Sequence, residues 1–553
     1  MSTNYSQHFQ TKETSQSQPI PGTDQVENSA GGFSWSVDDW KRLDRFLILG
    51  TEGGSYYASE QKLALANAWA VLRCIQTDGE RVVRRIVEIS TGGRAPKNDP
   101  ALFALAIAAG MGDENTKKAA SAALPMVART ATHLFNFLEN IQGFRGWGRG
   151  LRRTVSDWYN TKEAEQLAYQ LVKYRQRNGW SHRDVLRLAS PKPSTTAHNS
   201  LYRWVVKSGN MDERQVVRQE KNDTQMNVKK YDAVDCTLLP TIISSFEAAQ
   251  HATEIKDIVQ IINANSSLSW EMIPSNFLGE AKVWEALLPN LPMTALIRNL
   301  ARMTANGLIT PLSDATRLVV ERLTDETRIR KARVHPVAIL GALMTYRKGH
   351  GAKGNLSWQP VTQVIDALDR AFYLSFGNVK PSGKRTLSAL DVSGSMGCDE
   401  IAGMPGLTPA HASAALALVT AHVEQQYTIT AFSGGMVPIN ISPSQRLDDV
   451  IESISDMPFQ RTDCALPMIW ALQNKISVDT FVVYTDSETW CGHIHPVQAL
   501  ENYRREMGIP AKLIVVGMVA NSFTIADPND AGMLDVVGFD TATPQLISDF
   551  SVE

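Results

Sequence analysis

Cysteine, long apolar runs and compact catalytic motifs are all scarce in this 553-residue sequence. The five cysteines are widely spaced and include no Cys-x-x-Cys pair, so neither a disulfide framework nor a cysteine-based zinc site is indicated. No apolar stretch approaches the roughly 20 residues of a transmembrane helix, and the N-terminus lacks the pattern of a secretion signal. We therefore expect a cytoplasmic protein without a membrane span.

Short catalytic motifs are missing as well. A nucleophile elbow, a phosphate-binding loop and a His-Glu-x-x-His helix are all absent from the sequence. Because no positioned base or nucleophile can be named, the sequence predicts a protein that is not an enzyme. A metal-dependent nuclease is the alternative within the enzyme class.

The net charge of −2 conceals an uneven distribution of charge along the chain. Residues 381–553 contain 8 basic and 20 acidic side chains, whereas residues 1–380 contain 47 basic and 37 acidic ones. The length predicts about two or three domains. The basic N-terminal part and the acidic C-terminal part are expected to meet different partners.

The hydrophobic pattern divides the chain into three regions. Residues 1–32 are rich in Ser, Thr, Gln, Asn and Gly without apolar periodicity, which predicts a disordered tail. Residues 33–380 show one amphipathic helix after another, typical of an irregular array of helical repeats, and within them the polar stretch 208–231 is predicted as a long loop or exposed helix. Residues 381–553 alternate short apolar runs with helices, which predicts a doubly wound parallel sheet. The predicted strands are 386–392, 427–433, 480–485, 512–518 and 534–539.

Oxygen-bearing side chains follow the predicted strands of the third region. The run 387–396, Leu-Ser-Ala-Leu-Asp-Val-Ser-Gly-Ser-Met, brings one carboxylate and two hydroxyls to the carboxyl end of a buried strand, and two further residues are expected at the same edge. Oxygen ligands suit a hard divalent cation, so we predict a Mg²⁺ site with a coordination position open to an acidic protein ligand. The five predicted ligands are Asp391, Ser393, Ser395, Thr462 and Asp486.

This five-part pattern resembles the metal-ion-dependent adhesion site of von Willebrand factor A domains. The alternative is that the five residues only cap helices and form turns. A soft-metal site at Cys491, His493 and His495 is a further alternative, although three such residues in a short stretch more often form an ordinary exposed loop.

Basic and aromatic residues interleave in residues 141–210, which contain 13 basic and 4 acidic side chains. On a helix predicted near 162–178, Lys173 and Arg177 lie on a polar face opposite Leu167 and Leu171. Arginine and aromatic side chains together can hold single-stranded nucleic acid by charge neutralisation and stacking. The alternative is that the aromatic residues belong to the core and the basic residues to a solvated face.

Seven stretches carry a resemblance to a known family. They are Arg45-Phe-Leu-Ile-Leu-Gly-Thr-Glu-Gly-Gly-Ser-Tyr-Tyr57, Gly92-Gly-Arg-Ala-Pro-Lys97, Thr132-His-Leu-Phe135, Gly146-Trp-Gly-Arg149, Lys173-Tyr-Arg-Gln-Arg-Asn-Gly-Trp-Ser-His-Arg-Asp184, Arg333-Val-His-Pro336 and Thr462-Asp-Cys-Ala-Leu-Pro467. These stretches, in this order along the chain, resemble those of the Ro autoantigen family, including the bacterial Ro-related proteins. The resemblance extends from about residue 33 to the end. The resemblance implies a TROVE module of HEAT-like helical repeats over 33–380, bent into a closed ring whose ends are joined by a von Willebrand factor A domain over 381–553.

The resemblance also implies a function for the ring. Family members bind Y RNA on the basic outer surface and take single-stranded 3′ ends of misfolded noncoding RNAs into the hole, and bacterial relatives work with the exonuclease polynucleotide phosphorylase. Lys173 and Arg177 match family positions along this RNA path, whereas Ser190 stands where relatives often have a histidine. The other predicted RNA-binding residues are Arg149, Arg152, Arg153, Arg183, Arg187 and Lys192.

Two functions therefore remain open from the sequence. The first is a monomeric, non-catalytic RNA-binding protein of noncoding-RNA quality control. The second is a metal-dependent protein-interaction scaffold that acts mainly through its A domain.

Overall fold

The computed structural model describes residues 13–52, 54–208, 236–351, 355–377, 379–398, 400–401, 406–439, 441–455 and 461–553. Residues 1–12 of the predicted tail lie outside this part of the chain, as does the predicted loop or exposed helix 208–231 after its first residue. A helical array comes first in the chain, and a domain built on a mixed sheet follows it.

Strands occur in both parts of the chain, whereas the helices can be assigned to one part or the other. The strands are β1 Val26–Glu27, β2 Phe33–Ser36, β3 Gln176–Arg177, β4 Trp180–Ser181, β5 Thr386–Asp391, β6 Tyr427–Phe432, β7 Met436–Pro438, β8 Thr480–Thr485, β9 Lys512–Gly517, β10 Phe523–Thr524 and β11 Met533–Val537. The helices of the array are α1 Asp39–Leu49, α2 Glu60–Gly92, α3 Asp99–Met111, α4 Glu114–Val127, α5 Ala131–Gln142, α6 Arg149–Asn160, α7 Ala164–Lys173, α8 His182–Ala189, α9 Thr196–Ser208, α10 Thr241–His251, α11 Ile255–Ala264, α12 Ala281–Leu287, α13 Met293–Ala305, α14 Asp314–Leu323, α15 Glu326–Ala332, α16 Pro336–Lys348 and α17 Thr362–Phe376. The helices of the sheet domain are α18 Gly394–Cys398, α19 Pro409–Val423, α20 Leu447–Ser455, α21 Leu466–Gln473, α22 Pro496–Met507 and α23 Thr543–Val552.

Local sequence explains where several helices of the array begin. The side chains of Asp38, Ser59 and Asp113 each accept a hydrogen bond from a backbone N–H in the first turn of α1, α2 and α4. Ser181 and Asp184 form a reciprocal capping box at α8. Among the described helices, none combines the length and the apolar composition needed to cross a membrane.

The last helices of the array return to the first ones. Arg333 follows α15, and its Nη1 donates to the Thr91 carbonyl at the end of α2 over 2.6 Å. His335 precedes α16, and its Nε2 donates to the Arg94 carbonyl over 3.0 Å. The Nδ1 of the same ring accepts from the backbone N–H of Val337 at 3.2 Å, which fixes the neutral tautomer. These bonds close the array, as a ring requires.

A six-stranded sheet with the order β11-β9-β8-β5-β6-β7 forms the centre of the second part. Five of its strands are parallel, and β7 pairs antiparallel with β6 at one edge. Every residue of β5 and β8 is buried, because helices cover both faces of the sheet. The chain runs from β5 in both directions across the sheet, so β5 lies at the switch point where ligands bind in such folds.

Residues 13–32, which the sequence predicts as part of a disordered tail, are ordered in the structure together with the segment 33–37 that follows them. Strand β2 pairs with β1 on one side and with β10 of the sheet domain on the other. Ile20 and Trp35 are buried in the core that covers one face of the large sheet. The composition of this segment is polar, and it is ordered by partners that lie far away in the sequence, which local periodicity cannot reveal.

The sheet domain joins both ends of the helical array. Near the start of the array, the Arg94 Nε donates to the Asp540 carboxylate over 2.9 Å. Near its end, the Asp369 carboxylate in α17 accepts from the backbone N–H of Leu447 in α20 at 3.0 Å. The buried apolar residues of α11–α17 also form one continuous core with one face of the sheet.

Candidate functional site

The first three predicted metal ligands lie where β5 ends. Asp391 is fully buried, and its Oδ1 accepts from the backbone N–H of Ser393 at 2.9 Å. Its Oδ2 accepts from the Thr485 hydroxyl of the neighbouring strand β8 at 2.6 Å. The hydroxyl oxygens of Ser393 and Ser395 are 3.1 Å apart. The structure therefore brings one carboxylate and two hydroxyls together at the carboxyl edge of the sheet.

Asp486 joins this group directly after β8. Burial raises the pKa of Asp486, and an interaction with the Ser395 side chain opposes this shift in part. Burial, and next the negative charge of Asp486, raise the pKa of Asp391. The same two causes raise the pKa of Glu488 to about 7. Three acidic side chains are thus crowded in a buried region, where like charges oppose ionisation.

Thr462, the fifth predicted ligand, lies in a loop packed beside these residues. Its side chain is buried, and its carbonyl oxygen accepts from the backbone N–H of Trp490 at 3.1 Å. Two residues later, the Cys464 Sγ lies 3.6 Å from the Thr485 hydroxyl that donates to Asp391. The loop is therefore packed against the end of β8, next to the Thr485 hydroxyl that donates to Asp391.

The arrangement fits a divalent cation by its donor chemistry. Carboxylate and hydroxyl oxygens are the ligands that Mg²⁺ prefers, and a bound cation would relieve the crowding of Asp391 and Asp486. The structure does not favour the soft-metal site at Cys491, His493 and His495. The Nε2 atom of His495, one of the three predicted ligands, already donates to the Gln18 carbonyl over 2.8 Å. Within the described residues, no group of three or more His, Cys, Asp or Glu side chains could hold a metal ion. Any metal here would thus depend on the hydroxyl groups as well as the acids.

A residue outside the predicted ligand set reaches the same group from the helical array. Tyr57, in the turn between α1 and α2, is half-buried, and Ser395, Asp486 and Glu488 all influence the pKa of its phenol. Burial, and next the negative charges of Asp486 and Glu488, raise the pKa of Tyr57. The residue lies within the stretch 45–57 that carries the family resemblance, but no local spacing links it to position 395.

Distant hydrogen bonds hold the loop that contains Asp486. The Asn521 amide donates to the Asp486 carbonyl over 2.7 Å, and Arg45 of α1 donates to the Asn521 side chain over 3.1 Å. Gln16 donates to Asp463 over 2.7 Å, although the two residues are 447 positions apart. The sequence contains no signal for these contacts, because their partners come from three separate regions of the chain.

The basic residues of α6 form an exposed face. Arg149, Arg152 and Arg153 are all exposed, whereas Leu151 and Val155 of the same helix are buried. Positions three and four apart lie on the same side of a helix, so the three arginines project together from the side opposite the core. This surface offers three positive charges to solvent.

Lys173 and Arg177 do not share a helix face, contrary to the prediction. Helix α7 ends at Lys173, and Arg177 lies on β3 in the hairpin that follows. The physical reason is the dipeptide Asn178-Gly179, whose φ angles of 51° and 75° are those of a tight two-residue hairpin turn. Arg177 is exposed on this hairpin.

Lys173 is largely withdrawn from solvent. Its side chain is 9% exposed, and its Nζ donates to the Tyr169 hydroxyl over 2.9 Å. The Glu271 carboxylate lies 3.7 Å from the same nitrogen. Burial lowers the pKa of Lys173, but these contacts outweigh burial and the net shift is upward. The side chain is therefore charged and already engaged within the protein.

The remaining predicted RNA-binding residues lie close to the same region. Helices α6 and α8 pack against each other, with Arg183 half-buried and Arg187 exposed on α8. Lys192 is exposed, and its carbonyl accepts from Asn160 at the end of α6. Ser190 ends α8 in the left-handed conformation with φ 47° and is exposed.

The aromatic residues of 141–210 divide into two groups. Trp158, Tyr159 and Tyr202 are fully buried, so the interpretation of the aromatics as core residues is right for them. Trp147 and Trp180 are half-buried, and their ring centroids are 5.8 Å apart. Their contact joins the turn before Arg149 to the hairpin that carries Arg177.

Comparisons with known proteins agree with both halves of this architecture. A family model described as the TROVE domain matches residues 26–344, and one described as the Ro60 vWA domain matches residues 385–551. The RNA-binding protein RO60 of Deinococcus radiodurans is 41% identical over 529 residues, which cover 95% of each chain. The RNA-binding protein RO60 of Caenorhabditis elegans is 36% identical over 583 residues, covering 95% of this chain and 90% of that one.

Among solved structures, the crystal structure of the Deinococcus radiodurans RO (RSR) protein is similar. It aligns with a TM-score of 0.68 at 40% identity, covering 93% of this chain and 99% of that chain. Family models thus match both the helical array and the sheet domain, and bacterial and animal relatives match along nearly the whole length. The chain belongs to the Ro family of proteins, which combine a TROVE domain with a von Willebrand factor A domain.

Proposed function

We propose that this chain is a non-catalytic RNA-binding protein of noncoding-RNA quality control. The observation that carries the proposal is the exposed arginine face of α6, formed by Arg149, Arg152 and Arg153. Exposed arginines neutralise phosphates and release counterions without first breaking buried contacts. The names of two relatives, both called RNA-binding proteins, support the same conclusion.

Two kinds of RNA contact follow from a closed basic ring. Y RNA binds on the basic outer surface, and single-stranded 3′ ends of misfolded noncoding RNAs enter the cavity. Arg177 is the better placed of the two predicted path residues, because it is exposed on a hairpin whereas Lys173 is engaged with Tyr169 and Glu271. The protein acts as a monomer in the cytoplasm, with polynucleotide phosphorylase as its partner.

Ultraviolet crosslinking of the full chain to co-purified RNA tests this function. Sequencing should recover structured noncoding RNAs with single-stranded 3′ ends, and mass spectrometry should map the crosslinked peptides to α6, α8 and the β3–β4 hairpin. Crosslinks confined to residues 385–551 would contradict the proposal.

The second candidate function belongs to the sheet domain. We propose that Asp391, Ser393, Ser395, Thr462 and Asp486 hold Mg²⁺, which would supply a positive charge to an acidic protein ligand. The hydrogen bonds that gather Asp391, Ser393 and Ser395 at one sheet edge, and the negative charge of Asp486 that acts on Asp391, favour this role. It complements the first function, since the RNA is held by the helical array.

A further inference from the structure

Residues 13–32 form a strap that lies across the loop after β8, the loop that carries the last of the predicted metal ligands. The backbone N–H of Gln16 donates to the Gly492 carbonyl over 3.0 Å. Further along the strap, the side-chain amide of Asn28 donates to the Thr489 carbonyl over 2.8 Å. The strap is therefore bonded to this loop at more than one point.

Two glycines allow the strap and the loop to approach each other so closely. A Cβ atom at Gly32 of the strap would overlap the carbonyl oxygen of Thr489. A Cβ atom at Gly492 of the loop would overlap the side-chain amide of Gln16. A larger residue at either position would force the two segments apart, because atoms in protein interiors are already packed at van der Waals contact.

The side chain of Gln16 connects this loop to a second one. It is fully buried, and its Nε2 donates to the Asp463 Oδ1 over 2.7 Å and to the Ile494 carbonyl over 2.8 Å. Its Oε1 accepts from the Thr489 hydroxyl, whose oxygen accepts in turn from the backbone N–H of Cys464 at 3.1 Å. Both N–H groups and the oxygen of one amide are thus engaged between two loops.

Each of these loops carries a predicted metal ligand. Thr462 directly precedes the carboxylate that accepts from Gln16, and Asp486 lies three residues before Thr489. The loops are also joined directly, because the backbone N–H of Trp490 donates to the Thr462 carbonyl over 3.1 Å. The spacing between the two predicted ligands therefore depends on contacts in which Gln16 takes part.

We propose that the strap sets the spacing of the two loops for cation binding, with Gln16 as the positioning residue. This inference rests on the proposed metal site. Mg²⁺ demands near-ideal octahedral geometry, so its affinity is sensitive to small displacements of its ligands. Hydrogen bonds that orient the ligands from outside the coordination sphere raise that affinity. Gln16 acts in this way through Asp463 and Thr489. A segment whose composition predicts disorder is thereby part of the scaffold of the site.

Mn²⁺ binding to the full chain, followed by electron paramagnetic resonance, tests the role of Gln16. Gln16→Ala should raise the Kd for Mn²⁺ by about 10–100-fold. Gln16→Met, which fills similar space without the amide, should weaken binding in the same way and carries the test if the alanine variant does not fold. Gln18→Ala changes an exposed glutamine of the same strap and should bind Mn²⁺ as the wild type does.

Two further measurements distinguish positioning from a general loss of stability. Val478 is buried in the core shared by the strap and the sheet, but it precedes β8 and so lies at the opposite edge of the sheet. Val478→Ala should lower the melting temperature without changing Mn²⁺ affinity. In the metal-free protein, Gln16→Ala should speed hydrogen exchange of the Trp490 and Cys491 N–H groups that donate to Thr462. An equal loss of affinity in Val478→Ala, or unchanged exchange in Gln16→Ala, would overturn the inference.

The outcomes separate this inference from the metal site itself. Asp391→Ala should abolish Mn²⁺ binding; if it does not, the metal site and the inference are both overturned. If Asp391→Ala abolishes binding while Gln16→Ala and Gln16→Met bind Mn²⁺ as the wild type does, only the role of Gln16 is overturned. Thermal unfolding of each variant verifies that it is folded.

Discussion

Arg45 of the helical array and Asp535 of the sheet domain form an ion pair with 2.6 Å between Nη2 and Oδ1, and the two side chains are only 1% and 3% exposed. Removing one partner leaves the other charge buried and unpaired. We expect Asp535→Ala to lower the free energy of unfolding by about 3–5 kcal/mol, measured by urea denaturation. The control is Lys118→Ala, which breaks an exposed pair with Glu114 and should cost less than about 1 kcal/mol. Similar small losses in both variants would show that the buried pair does not hold the two parts together.

Asp391→Ala distinguishes the two proposed functions. Because Asp391 is the central carboxylate of the candidate metal site and lies outside the helical array, its loss should abolish Mn²⁺ binding and leave RNA affinity unchanged. Fluorescence anisotropy with a labelled oligoribonucleotide measures the RNA affinity. Loss of RNA binding in a correctly folded variant would refute this division between the two parts, and Mg²⁺-dependent RNA cleavage that vanishes in the variant would identify a nuclease.

Lys173 and Arg177 should respond differently to substitution. Arg177→Gln removes an exposed charge and should weaken binding of single-stranded RNA, with the salt slope of affinity reduced by about 0.7. Lys173→Gln disrupts contacts with Tyr169 and Glu271 and should lower the melting temperature without changing the salt slope. Equal changes of slope in both variants would mean that Lys173 leaves its internal contacts to bind RNA.

His335 makes the stability of the closed array depend on pH. Burial lowers the pKa of His335 from 6.5 to about 4, so the folded protein keeps the ring neutral while the unfolded chain takes up a proton below pH 6.5. The stability that this residue contributes is complete above pH 6.5 and is lost as the pH falls toward 4. The melting temperature should therefore decline less steeply over this range in His335→Gln, which does not titrate. Parallel declines in the two proteins would exclude His335 as a source of the effect.

Much of the sheet domain could be predicted from the sequence because buried parallel strands are continuous apolar runs. Strand β8 has the predicted bounds, 480–485. The antiparallel edge strand β7 was missed because it is only three residues long. The dipeptide Asn178-Gly179 is a strong turn signal. The helical pattern before it nevertheless predicts a helix that continues to residue 178, whereas α7 ends at Lys173.

Other parts of the site depend on contacts that no local pattern encodes. Gln16 lies in a segment whose polar composition predicts disorder. In the structure its side chain is buried and hydrogen-bonded to the sheet domain. The charges of Asp486 and Glu488 similarly act on Tyr57 only because α1 is docked on the sheet domain. Sequence reasoning could place the candidate ligands at one edge of the sheet, but not the groups that cover them.

The salt dependence of RNA affinity tests most directly the claim that the helical array, and not the sheet domain, holds the RNA. The probe is an RNA hairpin with a single-stranded 3′ tail, and the two variants each remove two exposed charges. Arg152→Gln/Arg153→Gln should weaken binding and reduce the slope of log affinity against log salt by about 0.7–0.9 for each lost phosphate contact. Lys475→Gln/Arg505→Gln in the sheet domain should leave affinity and slope as in the wild type. An unchanged slope in the first variant, or an equal loss in the second, would contradict this account.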